Sequence, residues 1–242
     1  MPSTTDRTTT GRDGMAFPGF RPEAIQFMAD LAANNDRAWF NPRKADYERV
    51  VREPFERLVE ALATEFAAGS LPLEADPKRS IFRIYRDTRF SRDKTPYKTH
   101  QAARFSWVGE GVIATQAHGA GGYLHFEPGA MYLGGGMFMP ERPLLEAWRR
   151  LVVAAPADVH RAIEDPGFVA VFGRVSTHDP YKRVPSGYPA DHPDAELLRM
   201  RDVVFGRPLS DDEVLSPTLP DTIAAGLGAA MPVLRMLASL DP

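Results

Sequence analysis

The chain has 242 residues, 43% hydrophobic and 25% charged, with a formal net charge of −3, which suits a folded protein with a full apolar core. It contains no cysteine, so disulfides, thiolate metal sites and a cysteine nucleophile are excluded. No apolar run approaches the roughly 20 residues of a membrane helix, and the opening "MPSTTDRTTTGRDGM" lacks the apolar core of a signal peptide. Residues 1–15 therefore read as a disordered tail, 16–242 as a single domain, and the protein as cytoplasmic.

The segment "FPGFRPEAIQFMADLAANN" predicts a turn and then a helix, with Pro22 in the first turn and Ile25, Met28, Leu31 and Ala32 at helical spacing. A second helix is expected from "NPRKADY", with Asn41 as N-cap and Pro42 at its first position. Tyr47, Val51, Phe55, Leu58, Leu62 and Phe66 keep one face across Pro54, which predicts a kink or two nearly collinear helices, ended by Gly69.

Residues 80–138 change character. "SIFRIYR" (80–86), "AARFSW" (102–107), "GVIATQA" (111–117), "GYLHFE" (122–127) and "AMYLGGGMF" (130–138) are short and β-rich, and their close spacing favours an antiparallel meander of about five strands. Helices return at 142–155, 156–165, 194–200 and 220–240. In the last, Ile223, Leu227, Ala230, Leu234 and Leu237 form a stripe that Pro232 should bend. A loop rich in Pro, Tyr and charge, "DPYKRVPSGYPADHP", occupies 179–193. The fold class is α+β, a central antiparallel sheet flanked by N- and C-terminal helices.

Charge is unevenly distributed. Between Lys78 and Arg104 nine cationic side chains face two acids, Asp87 and Asp93, a local +7 in a chain of net −3. Guanidinium forks match phosphate and carboxylate oxygens, so clustering them makes a fixed anion site. Extended backbone would point Arg83 and Tyr85 one way and Phe82 and Ile84 into the core. Arg83, Arg86, Arg89, Lys94 and Lys98 are the candidates to bind a phosphorylated or carboxylated small molecule. Lys182 and Arg183 would add a second arm if their loop meets the first. Asp87, Asp93, Tyr97 and His100 are the candidates for proton transfer. The alternative is a structural or partner-binding domain in which the motif is a folding clasp, the arginines pairing with Asp87, Asp93 and the other acids of the chain to fix the loop.

Other features are weaker. His125 and Glu127 alternate on one strand and, with His118 or His100, would form a two-histidine, one-carboxylate set for iron or another divalent metal, as in a metal-dependent oxygenase. The glycines at 134–136 suggest a bulge or a close approach of backbone or ligand. Asn34 and Asn35 would cap the first helix, or Asp36 and Arg37 join the cationic cluster. Phe90, Tyr97, Phe105 and Trp107 beside that cluster would serve nucleic-acid binding, which the net negative charge disfavours. No phosphate-binding glycine loop and no nucleophile elbow occurs, and neither a cofactor nor an oligomeric state follows from the sequence.

The stretch "RIYRDTRFSRDKTPY" contains Arg83, Arg86, Asp87, Arg89, Phe90, Asp93, Lys94 and Tyr97 in the order R-x-x-R-D-x-R-F-x-x-[D/N]-K-x-x-Y, and so resembles a bacterial family, domain of unknown function 2461. "FPGF", "LAANNDRAWFNPRKADYERVVREP", "YKTH", "YLGGGMFMP" and "KRVPSGYPADHPDAELLR" extend the resemblance over about residues 17 to 240. It implies one domain of this length and transfers no activity or catalytic residues.

Overall fold

The computed structural model describes residues 17–109 and 119–242. Helix α1 (Pro22–Ala33) ends at Asn34, whose backbone N–H and side-chain amide both return to the Asp30 carbonyl. The next helical segment starts earlier than expected, because Asp36 and not Asn41 is its N-cap. The Asp36 carboxylate accepts the Trp39 N–H at 2.8 Å and opens α2 (Arg37–Phe40). Pro42 is taken up in a 3₁₀ turn, Asn41–Arg43, ahead of α3 (Lys44–Tyr47).

A π-helical turn, Glu48–Arg52, then leads into α4 (Glu53–Ala68). Pro54 brings no N–H, and its ring would strike the carbonyl four residues back. The wider turn relieves both conflicts, so the chain stays helical through the proline. Tyr47, Val51, Phe55, Leu58, Leu62 and Phe66 are accordingly all buried.

After α5 (Pro77–Ser80) come β1 (Gln101–Ser106), β2 (Gly121–Phe126) and β3 (Tyr132–Met137), an antiparallel meander. A fourth strand, β4 (Val203–Pro208), returns much later and pairs antiparallel with β3. The sheet thus has four strands in the order β1-β2-β3-β4, not about five within 80–138. Residues 80–86 are not a strand. Ile81 and Ile84 are buried while Phe82, expected in the core, is exposed, a spacing of three that pleated backbone does not give. This segment touches the edge of β1 through the Ile81–Ala103 bridge and the Phe82 N–H, which donates to the Ala102 carbonyl at 3.0 Å. The expected strand at 111–117 lies outside the described residues.

The glycines of β3 admit β4 rather than a ligand. A Cβ on Gly134 would stand 2.5 Å from the Phe205 carbonyl oxygen. One on Gly136, where φ is +113°, would stand 2.2 Å from that of Val203.

The remaining helices are α6 (Arg142–Ala154), α7 (Pro156–Ile163), α8 (Pro166–Phe172), α9 (Ala195–Leu198), α10 (Asp211–Leu215), α11 (Leu219–Ala229) and α12 (Met231–Ala238). Pro232 breaks the predicted C-terminal helix into α11 and α12, which meet at 60°, and all five residues of its stripe are buried. Helix α11 packs on α4 and β3. Phe20, Phe55 and Phe126 meet with ring centroids 4.7–5.8 Å apart, within one apolar cluster that runs from Phe17 to Leu240. Burial of each such side chain contributes about 1.5–3 kcal/mol. Among the described residues no single helix is long and apolar enough to cross a membrane.

The sheet has two unlike faces. Ala103, Phe105, Leu124 and Leu133 are buried on the helix side. Register places Arg104 opposite Tyr123, and His125 between Ala102 and Tyr132, so the other face carries Arg104, Tyr123, His125 and Tyr132.

Candidate metal centre

The cationic motif is largely self-satisfied. Arg89 holds Asp87 through both ends of its fork, at 3.0 Å from Nε and 2.7 Å from Nη2. Arg86 binds the Asp93 carboxylate and the Thr95 hydroxyl, and Lys94 donates to the Thr88 carbonyl at 2.8 Å. Arg89 holds the Asp87 carboxyl below its usual range, and Arg86, with the Thr95 N–H, holds that of Asp93 down at about 2. Carboxylates so depressed are weaker bases than free ones. A cleft of about 580 Å³ beside the motif is lined by Asp36, Arg37, Tyr85, Arg86 and Lys94, but Arg86 and Lys94 meet it already bonded to protein.

These bonds fix the path of the chain toward the sheet. The Arg86 N–H reaches the Pro96 carbonyl at 2.9 Å, and the Lys98 N–H reaches that of Ile84 at 2.8 Å. The Asn35 amide grips the Tyr97 backbone from both sides, and the Tyr97 ring lies buried against Phe40, centroids 4.1 Å apart. Tyr97, foreseen as a catalytic candidate, has its ring buried in the core and also lines the cleft beside the motif. The three residues that follow it are delivered to the polar face of the sheet.

There His100, His125 and Glu127 converge. One ligand atom from each lies within 4.8 Å of the others. The His100 and His125 rings are 4.4 Å apart, and His125 stacks on Tyr132 at 4.8 Å. Glu127 accepts from the Thr99 hydroxyl at 2.5 Å and lies 3.0 Å from Nε2 of His125, whose Nδ1 is 3.1 Å from the Tyr123 hydroxyl. Burial and the adjacent His125 hold the His100 pKa at about 4, which keeps its ring neutral at pH 7. Burial acts to raise the Glu127 pKa, but the hydrogen bonds from Thr99 and His125 outweigh it and the carboxyl sits below its usual value. Burial, with Tyr132 alongside, pushes the Tyr123 phenol well above the ordinary tyrosine range. Two imidazoles and a carboxylate are a donor set that divalent transition metals accept.

Lys98 stands at the edge of this cluster, over the exposed Phe82 ring at 5.0 Å. Burial, and then the charge of Arg83, lower its pKa. Of the foreseen cations, Lys98 lies on the side of the histidines, Arg83 stands between, its charge felt by both Lys98 and Asp87, and Arg86, Arg89 and Lys94 serve the motif. Lys182 and Arg183 are exposed on the 179–193 loop, and among the described residues no hydrogen bond or ion pair joins that loop to the motif. His118 lies outside the described residues. Of the four aromatics considered for nucleic acid, Tyr97 and Phe105 are buried, so the four form no stacking surface. Tyr123, Tyr132, Thr99 and Asn35 were not among the predicted site residues. The available signal was the alternation of Tyr123, His125 and Glu127 along one strand face.

The architecture is that of an α+β protein whose polar sheet face carries a histidine–glutamate cluster. The model of a family of unknown function, described as conserved hypothetical protein (DUF2461), matches residues 23–236, and the chain belongs to that family. No curated protein and no solved structure matches it.

Proposed function

We propose that His100, His125 and Glu127 hold a divalent transition metal, and that the protein uses it on a small anionic molecule steered in by Lys98 and Arg83. The observation that carries this is the convergence of the three ligand atoms within 4.8 Å. A metal held by these three residues would supply Lewis-acid or redox chemistry to a molecule brought beside it. The Thr99 hydroxyl behind Glu127 orients the carboxylate as an outer hydrogen-bond partner does in metal sites. Arg83 is exposed and has no carboxylate bonded to it among the described residues, so its fork is open to a phosphate or carboxylate. The motif's part in this reading is to clasp the chain so that Thr99 and His100 reach the sheet. Elemental analysis of protein purified without added metal tests it, with near-stoichiometric iron, zinc or manganese expected, and removed by His125→Ala. Metal-free protein that also fails to take up any of the three on dialysis would refute it.

A second reading draws on the unbroken chain Tyr123–His125–Glu127–Thr99, with steps of 3.1, 3.0 and 2.5 Å. Such a chain can relay a proton with no metal, His125 acting as base and Glu127 orienting it. Paramagnetic NMR separates the two. Substoichiometric Mn(II) broadens the ring signals of His100 and His125 first if they are ligands, and leaves them sharp if they are a relay.

A further inference from the structure

We propose that the cavity at the far end of β3 is a second ligand site, for a small molecule that joins an aromatic ring to a phosphate, as a mononucleotide does. The cavity has a volume of about 740 Å³, within the range of small-molecule sites, and its lining includes Phe138, Met139, Arg142, His178, Tyr181 and Arg201. It is built by two stretches singled out in the sequence and unused by the histidine–glutamate cluster, the end of "YLGGGMFMP" and the start of "DPYKRVPSGY". Tyr132, which stacks on His125, and Phe138 are separated by the length of β3, about 20 Å at 3.3 Å per residue, so the two sites are distinct.

The floor of the cavity is fixed by two buried charges. Arg149 is 3% exposed and spends its donors on the Leu198 and Met200 carbonyls, at 3.1 and 3.3 Å, and on Glu146 at 2.6 Å. Asp202, also 3% exposed, accepts from the Thr177 hydroxyl and the His178 N–H, both at 2.8 Å, and lies 3.1 Å from Nδ1 of His178. A buried carboxylate can only accept, so Nδ1 carries the proton and Nε2 is presented outward on a ring that is 68% exposed. Asp202 is thus a positioning residue for His178.

Above this floor stand groups whose partners are few or weak. Arg142 has no hydrogen bond or ion pair among the described residues, and Arg201 pairs only with the solvent-exposed Asp179, at 2.8 Å. A phosphate bridging Arg142 and Arg201 would take charge-assisted bonds from both and exchange a pair of little worth for them, while Nε2 of His178 is placed to accept from a hydroxyl of the ligand. Phe138 and Tyr181 present exposed rings, Phe138 edge-on to His178 at 5.3 Å and Tyr181 beneath the guanidiniums of Arg149 and Arg201 at 5.3 and 5.2 Å. An aromatic ligand ring would stack on these surfaces. Met139 and Asp179, at φ +45° and +47°, also line the cavity. With Ser70 they are the non-glycine residues at positive φ among the described residues, and such strain gathers at ligand sites.

Calorimetric titration of the full chain with AMP and with 4-methylumbelliferyl phosphate tests this. At least one should bind with Kd below about 1 mM, with adenosine and inorganic phosphate each about tenfold weaker or more. Arg142→Gln and Arg201→Gln, both at exposed positions, should each weaken binding about tenfold or more, while His100→Ala leaves it unchanged. Failure of both phosphate esters to bind, or affinity unaltered in both arginine variants, would overturn the proposal. Loss of affinity in His100→Ala would also overturn it, by placing the ligand at the first site.

Discussion

The side-chain amide of Asn35 donates to the carbonyl of Tyr97 at 2.9 Å and accepts its N–H at 3.0 Å, joining positions 62 apart in the chain. It imitates a strand partner and closes the motif loop on the N-terminal helices. Replacing Asn35 with leucine leaves both backbone groups unpaired in a part-buried place, at a cost of about 2 kcal/mol. The expected outcome is a melting temperature about 4–8 °C lower, measured by thermal denaturation. An unchanged melting temperature would mean that the clasp does not hold the loop.

Tyr97 separates a structural from a chemical role for the motif. Its ring packs in the core, so Tyr97→Ala should cost about 3–5 kcal/mol, whereas Tyr97→Phe should stay within about 1 kcal/mol of the parent. Urea titration of both variants, read with the metal affinity of Tyr97→Phe, checks this. A folded Tyr97→Phe protein with abolished metal binding would restore the hydroxyl to the site.

The Arg86–Asp93 pair gives the motif an acid limit. The Asp93 pKa is depressed from 3.8 to about 2 in the folded protein, so its contribution is present above pH 4 and is lost as pH falls through 2. Asp93→Asn should be less stable than the parent at pH 6, with the gap narrowing steadily between pH 4 and pH 2. Urea midpoints of the two proteins across that range decide it, and a constant gap would contradict the assignment.

Much of the helical frame was readable because burial leaves a periodic mark. The stripes from Tyr47 to Phe66 and from Ile223 to Leu237 are buried as written, and Pro232 bends the chain where it stands. Pro54 shows the limit of such reading, since a π turn absorbs it and no sequence rule announces one. The strand at 203–208 leaves little trace in the sequence, because its partner β3 lies far away along the chain and its own apolar run is short. Residues 80–86 carry the β-branched and aromatic side chains of a strand, but such residues favour pleated packing without assuring a ladder. In the site, His125 and Glu127 were legible from alternation. The choice of His100 as their companion depended on where the clasp delivers residues 98–100, which is a tertiary fact. For the arginines, number is visible in the sequence, whereas their pairing with Asp87 and Asp93 is one of two arrangements that it allows.

The proposed metal site is tested most directly by titrating metal-free protein with Co(II) and following the visible ligand-field bands. One equivalent should develop a spectrum with nitrogen and oxygen ligation. His100→Ala, His125→Ala and Glu127→Gln should each weaken the affinity by about a hundredfold or more, and Thr99→Val by about tenfold through the loosened carboxylate. Folded variants that bind Co(II) as tightly as the parent, or a parent that shows no saturable band, would contradict a metal held by these three residues.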